Sequence, residues 1–262
     1  MTHKGVSQAA LWTVAVAVLA FLYLPLFPPL LLSFSPEGQG LQAGGFTLRW
    51  YREMWEQPIL TSSFKTSLVA AGIVGLVTPL LALLAAMAVR EFRSRRIIVL
   101  LLVLPLFVPA VTMGLSTAFF FQRLGLPPSL LTIVLVHVIW ALPFAFLITL
   151  AVMATFNPLY LEAAYLSGAG RWRAFMDVEL PLIFPGIFGA AIFSVILSFN
   201  ETIRTTMVQG PLNTVQTYIW STFLQVGLSP TLYALMGLLV ILTFGLVVVM
   251  ILLGFARSRK VR

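Results

Sequence analysis

Residues 157–181 read NPLYLEAAYLSGAGRWRAFMDVELP, a polar and charged segment in a chain that is otherwise largely apolar. Five charged side chains fall inside this segment: Glu162, Arg171, Arg173, Asp177 and Glu179. Because charged side chains are costly in lipid, the segment must lie on one aqueous side of any membrane that the rest of the chain crosses. It therefore separates membrane spans that precede it from spans that follow it.

The composition of the whole chain is that of a membrane protein. Its 262 residues are 60% hydrophobic and 9% charged, with a mean hydropathy of +1.02, whereas soluble domains carry about 25% charged residues. The sequence has no cysteine, which excludes disulfides and thiol chemistry. The net charge of +8 comes from short basic clusters beside apolar stretches. Membrane topology explains such clusters, so we reject nucleic-acid binding.

We predict an all-α, polytopic membrane protein, a single domain over residues 1–262 with six transmembrane helices, because a bilayer core requires roughly 20 apolar residues per helix. The predicted spans are 9–33, 67–89, 97–121, 129–154, 183–202 and 231–255. The first is too long for a cleaved signal peptide, so it is interpreted as an uncleaved span. Prolines interrupt several spans and predict kinks or a cavity lining, although proline is also common in ordinary membrane helices.

Topology follows from the number of spans and from the basic residues. An even number of spans places both termini on the same side. Lysine and arginine are in excess in the loops after spans two and four and at the C-terminus, which predicts that this side is the cytoplasm.

Local signals divide the 157–181 loop into two short helices joined by a bend. Pro158 suits a first helical turn, where its missing amide donor costs nothing. Gly168 and Gly170 are expected to end or bend this first helix. A second helix from Arg171 is expected to stop at Pro181, before span five.

The apolar residues of this loop would be exposed unless they met a partner: Leu161, Ala164, Tyr165 and Phe175. A partner protein on the aqueous side is one interpretation. An amphipathic loop that lies on the bilayer surface is the other.

The order of residues in this loop resembles the EAA loop of bacterial ABC importer permeases. The shared pattern is Glu-Ala-Ala, three residues, Gly, nine residues, an aliphatic residue, one residue and Leu-Pro. The resemblance implies that the loop docks onto a separate ATPase through Glu162, Ala163, Ala164, Gly168, Arg171, Val178, Leu180 and Pro181. The chain has lysine only at positions 4, 65 and 260 and no phosphate-cradling Gly-x-x-x-x-Gly-Lys-Ser/Thr loop, so any ATP hydrolysis belongs to another polypeptide.

Other stretches resemble the smaller permease of spermidine/putrescine-type importers. They are residues 45–51 (GFTLRWY), residues 198–201 (SFNE) and residues 226–230 (VGLSP). The resemblance implies a bacterial inner-membrane permease that is not an enzyme and carries no cofactor. Its implied partners are a second, different permease subunit, two ABC ATPase subunits that hold ATP and Mg²⁺, and an extracytoplasmic solute-binding protein.

The resemblance also implies a polyamine substrate, with one departure. Polyamine permeases tend to carry adjacent acidic residues near the end of span five, and here Asn200 and Glu201 occupy that region. Ferric iron, thiamine or a phosphonate is the alternative solute.

Three residues are candidates for the solute pathway. Glu201 is an acid at the outer end of span five, and a membrane-embedded acid is a functional candidate by default. Alternatively, Glu201 and Arg204 form an interfacial ion pair, which stabilises a helix by roughly a few tenths of a kcal/mol. His137 can line the pathway or serve as a hydrogen-bonded packing residue. Asn200 is the third candidate.

Two function classes outside this family are less consistent with the sequence. An ion-coupled secondary transporter predicts intramembrane carboxylates and an inverted repeat, and neither is evident. An intramembrane enzyme needs a catalytic dyad or a metal cluster at membrane depth, and the sequence contains no such pattern.

Overall fold

The computed structural model describes residues 8–36, 45–92 and 95–260, with side chains up to residue 245. Both chain ends, for which the sequence predicts a cytoplasmic location, lie outside the described residues. Contacts divide the chain into two compact units, one of Met1–Pro58 with Ser221–Arg262 and one of Ile59–Trp220.

The described residues fold into α-helices with short 3₁₀ and π turns. In chain order the α-helices are α1 (Gln8–Tyr23), α2 (Phe27–Leu32), α3 (Arg49–Trp55), α4 (Pro58–Glu91), α5 (Arg95–Val103), α6 (Ala110–Arg123), α7 (Leu130–Thr155), α8 (Leu159–Leu166), α9 (Arg171–Ala174), α10 (Leu180–Phe199), α11 (Ile203–Val208), α12 (Val215–Val226) and α13 (Pro230–Lys260).

In the first unit, α13 packs against α2 and α3. The contact is close at Gly237 of α13, where a Cβ atom would lie 3.0 Å from both Ser33 Oγ and Tyr51 Oη. These two hydroxyl groups form a hydrogen bond of 2.7 Å. The Trp50 indole NH donates to the Ser35 carbonyl at 2.8 Å, which fixes α3 against the chain after α2.

In the second unit, the long helix α4 buries one stripe of mostly small side chains. The stripe repeats every four residues: Ala70, Val74, Thr78, Ala82 and Ala86. Small residues at this spacing allow helix backbones to approach closely, which is how helices associate in lipid. At Gly75 the approach of α10 is so close that a Cβ atom would overlap the Val195 side chain.

Apolar clusters of described residues form the core of this unit. The first joins α4, α6, α7 and α11 around Val74, Phe121, Ile133, Val136 and Val208. The second joins α4, α7 and α10 around Ala82, Ala86, Val89, Phe146 and Ala190. Helix α7 contributes to both clusters and also packs along α10.

The third predicted span, 97–121, is not a continuous helix. Helices α5 and α6 are separated by a 3₁₀ turn over Leu104–Phe107, and the two parts of this region are bent by 104°. Val108 is extended, with φ −81° and ψ 125°, because the following Pro109 excludes the α conformation at the residue before it. Prolines at 105 and 109 thus replace a straight span with a sharp corner.

Four described helices are long and apolar enough to cross a membrane: Ala10–Leu32, Pro58–Glu91, Leu130–Thr155 and Arg171–Phe199. The bent α5–α6 pair makes five if it counts as one span. The predicted last span, 231–255, falls within α13, whose apolar described part covers Pro230–Gly245. The chain is therefore a multi-pass membrane protein, and the count of six stays a prediction.

Candidate functional site

The first half of the 157–181 loop is a short exposed helix, α8. The Asn157 side-chain oxygen accepts a hydrogen bond from the Leu159 amide at 3.0 Å and opens the helix. Glu162 lies in the first turn, where a negative charge is favourable beside the free amide groups. Glu162 and Ala163 are exposed, and Ala164 is half-buried.

Gly168 ends α8 in the left-handed region, with φ +84°. The chain reverses there through two backbone hydrogen bonds of 3.0 Å, from the Gly168 amide to the Tyr165 carbonyl and from the Ala169 amide to the Ala164 carbonyl. This pattern is a common helix termination that glycine adopts without strain. Nothing lies within 4 Å of a Cβ atom built at Gly168, so only the backbone angle requires glycine.

The second half of the loop does not stop at Pro181, and that prediction was wrong. Helix α9 passes through a π turn, Phe175–Glu179, directly into α10, so that Arg171–Phe199 is one helical segment of 29 residues. In the wider turn the Leu180 amide donates to the Phe175 carbonyl. This turn carries the chain past Pro181 near the start of α10 without a break. Val178 and Leu180 are half-buried and Pro181 is exposed.

The apolar side chains of the loop are oriented differently from the expectation. Leu161, Tyr165 and Phe175 line a cleft of about 720 Å³ toward Met87 of α4 and Met153 of α7. Leu166, at 91% exposure, and Trp172, at 73%, are the most exposed apolar side chains of the loop. The periodicity of so short a helix does not fix which face turns inward.

Ion pairs connect this loop to the end of α4. The Glu179 carboxylate is 2% exposed and forms an ion pair with Arg90, and the Arg90 side chain also lies 3.8 Å from Glu91. Glu91 lies 3.9 Å from the Arg171 guanidinium in turn. Arg171 was a predicted site residue, whereas Arg90, Glu91 and Glu179 were not. Arg90 and Glu179 are 89 positions apart, and no local signal links them.

A second polar cluster follows the other end of α10. Glu201 is 7% exposed and Arg204 is 5% exposed, and their side chains pair at 2.7 Å. The Arg204 guanidinium also lies over the Trp140 ring, 3.8 Å from its centre, and its Nε donates to Met113 Sδ at 3.1 Å. The Glu201–Arg204 pair that the sequence allowed is therefore present, but both partners are buried and not exposed.

His137 lies in the same cluster and has a partner at each ring nitrogen. Its Nε2 atom is 2.8 Å from Thr205 Oγ1, and its Nδ1 atom is 2.7 Å from Ser198 Oγ. Thr205 donates its only hydroxyl proton to the Glu201 carbonyl at 2.9 Å. The His137 Nε2–H must then be the donor to Thr205. Both ring nitrogens therefore have a hydrogen-bond partner within the protein.

Asn200 differs from these neighbours because its side chain is exposed. Its Nδ2 donates to the Ile196 carbonyl at 3.0 Å, and Gln216 approaches its Oδ1 at 3.5 Å. In the described part of the chain, no group of three or more His, Cys, Asp or Glu residues is placed to hold a metal ion.

Helix α10 connects the ion pairs of the 157–181 loop with the Glu201–Arg204 cluster. The loop runs into the start of α10, and Glu201 lies two residues after its last residue, Phe199. Twenty residues of α-helix span about 30 Å, which is the thickness of a bilayer core. The structure thus places a charged loop and a buried polar cluster at opposite ends of one membrane-length helix.

Comparison with known proteins adds two kinds of relative. The chain is 26% identical over 234 residues to the spermidine/putrescine transport system permease protein PotC of Escherichia coli (strain K12), covering 88% of this chain and 89% of the relative. It is 26% identical over 239 residues to the putrescine transport system permease protein PotI of the same organism, covering 87% and 85%.

The fold resembles a chain in the crystal structure of a bacterial ABC transporter involved in the import of the acidic polysaccharide alginate. The TM-score is 0.67 at 15% sequence identity, covering 97% of this chain and 99% of that chain. At this identity the likeness concerns the fold alone. Residues 78–261 match the family described as the binding-protein-dependent transport system inner membrane component. The chain therefore belongs to this family of inner-membrane transport components, which are transport subunits and not enzymes.

Proposed function

We propose that this chain is the permease subunit of an ATP-driven ABC importer, which forms part of the solute pathway and couples it to a separate ATPase. The family match over residues 78–261 supports the importer class. In this proposal the partners are a second permease subunit of different sequence, two ATPase subunits and an extracytoplasmic solute-binding protein. The orientation proposed has the 157–181 loop and both termini in the cytoplasm.

The observation that carries the coupling role is the surface of the 157–181 loop. Leu166 and Trp172 expose apolar side chains on a segment whose charges exclude it from the bilayer core. Exposed apolar side chains on an aqueous segment favour a protein partner. The loop also continues without a break into α10, so a partner that moves the loop also moves a membrane-spanning helix.

Cysteine cross-linking tests this docking, and the chain offers a native background without cysteine. Leu166→Cys should form a cross-link to a polypeptide that contains a Gly-x-x-x-x-Gly-Lys-Ser/Thr loop, identified by mass spectrometry, and ATP should change the yield. The matched control is Leu100→Cys on α5, another apolar residue with 69% exposure. Equal yields at the two positions, or a partner without the nucleotide-binding loop, would contradict the docking role.

For the solute we propose a polyamine such as spermidine or putrescine. This rests on the two relatives whose names state these solutes. A cationic solute needs carboxylates or aromatic faces along its path, and Glu201 and Trp140 are groups of this kind beside α10. Both are bound to Arg204 in this structure. Asn200 has an exposed side chain and is the better candidate for direct contact, whereas His137 is proposed as a packing residue.

The solute is tested with the reconstituted importer and its binding protein. Spermidine or putrescine should stimulate ATP hydrolysis and accumulate inside proteoliposomes, while thiamine, a phosphonate and alginate oligosaccharides should not. Stimulation by one of these other solutes would refute the polyamine assignment and leave the permease role standing. ATP-independent accumulation driven by an ion gradient would refute the permease role itself.

A further inference from the structure

Glu179 is a buried carboxylate between two apolar residues of the sequence. It lies at the end of the π turn, 2% exposed, beside the half-buried Val178 and Leu180. Its partner is Arg90 in the last turn of α4. A buried carboxylate requires such a partner, because desolvation without one disfavours the charged form strongly.

The two ends of this contact lie on different functional parts of the molecule. Arg90 and Glu91 are the last residues of α4, a helix of 34 residues. Arg171 and Glu179 are the first and last residues of the α9 and π-turn stretch of the 157–181 loop, directly before α10. The two ion pairs have opposite polarity. Arg90 of α4 contacts Glu179 of the loop, and Glu91 of α4 lies near Arg171 of the loop.

These two ion pairs differ in distance and in exposure to solvent. Arg171 and Glu91 are 3.9 Å apart, and their side chains are 87% and 62% exposed. Water and salt screen such a pair, so it contributes little. The Arg90 side chain is 39% exposed, but it directly contacts the Glu179 carboxylate, which is only 2% exposed. Removing the partner of a buried carboxylate is costly, so this contact holds the loop more firmly than the exposed pair does.

We infer that Arg90 and Glu179 are positioning residues that hold the 157–181 loop to the cytoplasmic end of α4, so that displacement of the loop moves α4 together with α10. The π turn is consistent with this role, because π turns inside helices occur often at functional sites. The inference rests on the proposed function, since it assigns the route by which the docked ATPase acts on the spans.

The experiment uses the complete importer in proteoliposomes and measures solute transported per ATP hydrolysed. Glu179→Gln keeps the side-chain shape and removes the charge, and it should lower this ratio on the order of tenfold, a size typical of coupling between sites. The exchange Arg90→Glu with Glu179→Arg should restore most of the ratio. Glu91→Gln, at the same helix end but exposed, is the matched control and should stay within about twofold, because exposed pairs are weak.

A double variant, Arg90→Met with Glu179→Met, separates positioning from packing. An apolar pair leaves no uncompensated charge at the buried position of Glu179, so this variant should assemble with its ATPase and still show the low ratio. A wild-type ratio in Glu179→Gln or in the double methionine variant would overturn the inference. So would a charge exchange that assembles and shows no recovery.

The failure of this inference is distinguishable from failure of the proposed function. If the wild-type complex shows no ATP-dependent uptake, the proposed function fails and the variants are not informative. If the wild type transports and Glu179→Gln transports with the same ratio, only the positioning role is wrong.

Discussion

The central carbon of the Arg204 guanidinium lies over the Trp140 ring, 3.8 Å from the ring centre. This distance is well inside the ~6 Å over which a cation is attracted by an aromatic face. The same guanidinium pairs with Glu201 at 2.7 Å. Arg204 thus occupies the two groups beside α10 that a cationic solute would need, and it does so inside the protein.

The first prediction concerns this buried pair. Glu201→Gln keeps a hydrogen-bond acceptor near Arg204 but leaves a buried guanidinium without a countercharge, which costs about 3 kcal/mol when a buried pair is broken. Thermal unfolding of the purified chain in detergent should show a clear loss of stability. Glu53→Gln, which breaks the exposed Arg49–Glu53 pair, is the control and should cost under about 1 kcal/mol. Equal effects of the two substitutions would show that Arg204 does not depend on Glu201.

The second prediction concerns the bend of the 157–181 loop. Gly168 has φ +84°, and a β-branched residue in this region costs roughly 1–2 kcal/mol or more. Gly168→Val should therefore reduce uptake and co-purification with the ATPase while membrane insertion is retained. Gly170 also has no atom within 4 Å of a built Cβ, but its φ is −71°, which valine adopts freely. Gly170→Val is the matched control, and a defect of the same size there would contradict the backbone explanation.

The third prediction concerns the contact between α4 and α10. Gly75→Ala would place a Cβ atom against Val195, whose branched side chain has essentially one rotamer in a helix. Overpacking of this kind typically costs about 1–3 kcal/mol, measured again as thermal stability. Gly72→Ala on the same helix meets no atom within 4 Å and should be neutral or stabilising. Adding Val195→Ala to Gly75→Ala should restore part of the lost thermal stability. If it does not, Val195 is not the residue that the new Cβ atom overlaps.

The fourth prediction concerns topology across the bent α5–α6 pair. If the pair crosses the membrane as one broken span, its two ends lie on opposite sides. Arg123→Cys should then react with a membrane-impermeant maleimide in intact cells, and Arg96→Cys should react only after permeabilisation. Arg171→Cys controls for the cytoplasmic side. Reaction of positions 96 and 123 from the same side would indicate a re-entrant segment and would reduce the number of spans.

Much of this architecture follows from the sequence because its signals are local. Long apolar stretches predict the spans on α1–α2, α4 and α7, and glycine at 168 predicts the bend. Kinks at prolines were predicted, but a 104° corner between α5 and α6 was not. Proline disfavours a continuous helix, and packing decides whether the helix continues, as it does at Pro79, Pro143 and Pro185, or breaks.

The contacts of the candidate site depend even more on tertiary packing, which the local sequence does not reveal. Glu201 and Arg204 are three positions apart, so the pairing could be read from the sequence, but its burial could not. Burial depends on Trp140 and Met113, which come from two other helices. Arg90 and Glu179 meet across 89 positions, and only the packing of α4 against the loop brings them together.

The continuity of Arg171–Phe199 has a mechanical consequence if Glu179 is held at the end of α4. The helical segment is then a lever that turns about Glu179 with unequal arms. The nine residues from Arg171 to Glu179 form a short arm of about 13 Å, and the twenty residues from Leu180 to Phe199 form a long arm of about 30 Å. Any tilt of the segment about Glu179 adds to the joint movement of α4 and α10, and it displaces the end that carries Glu201 about twice as far as the Arg171 end.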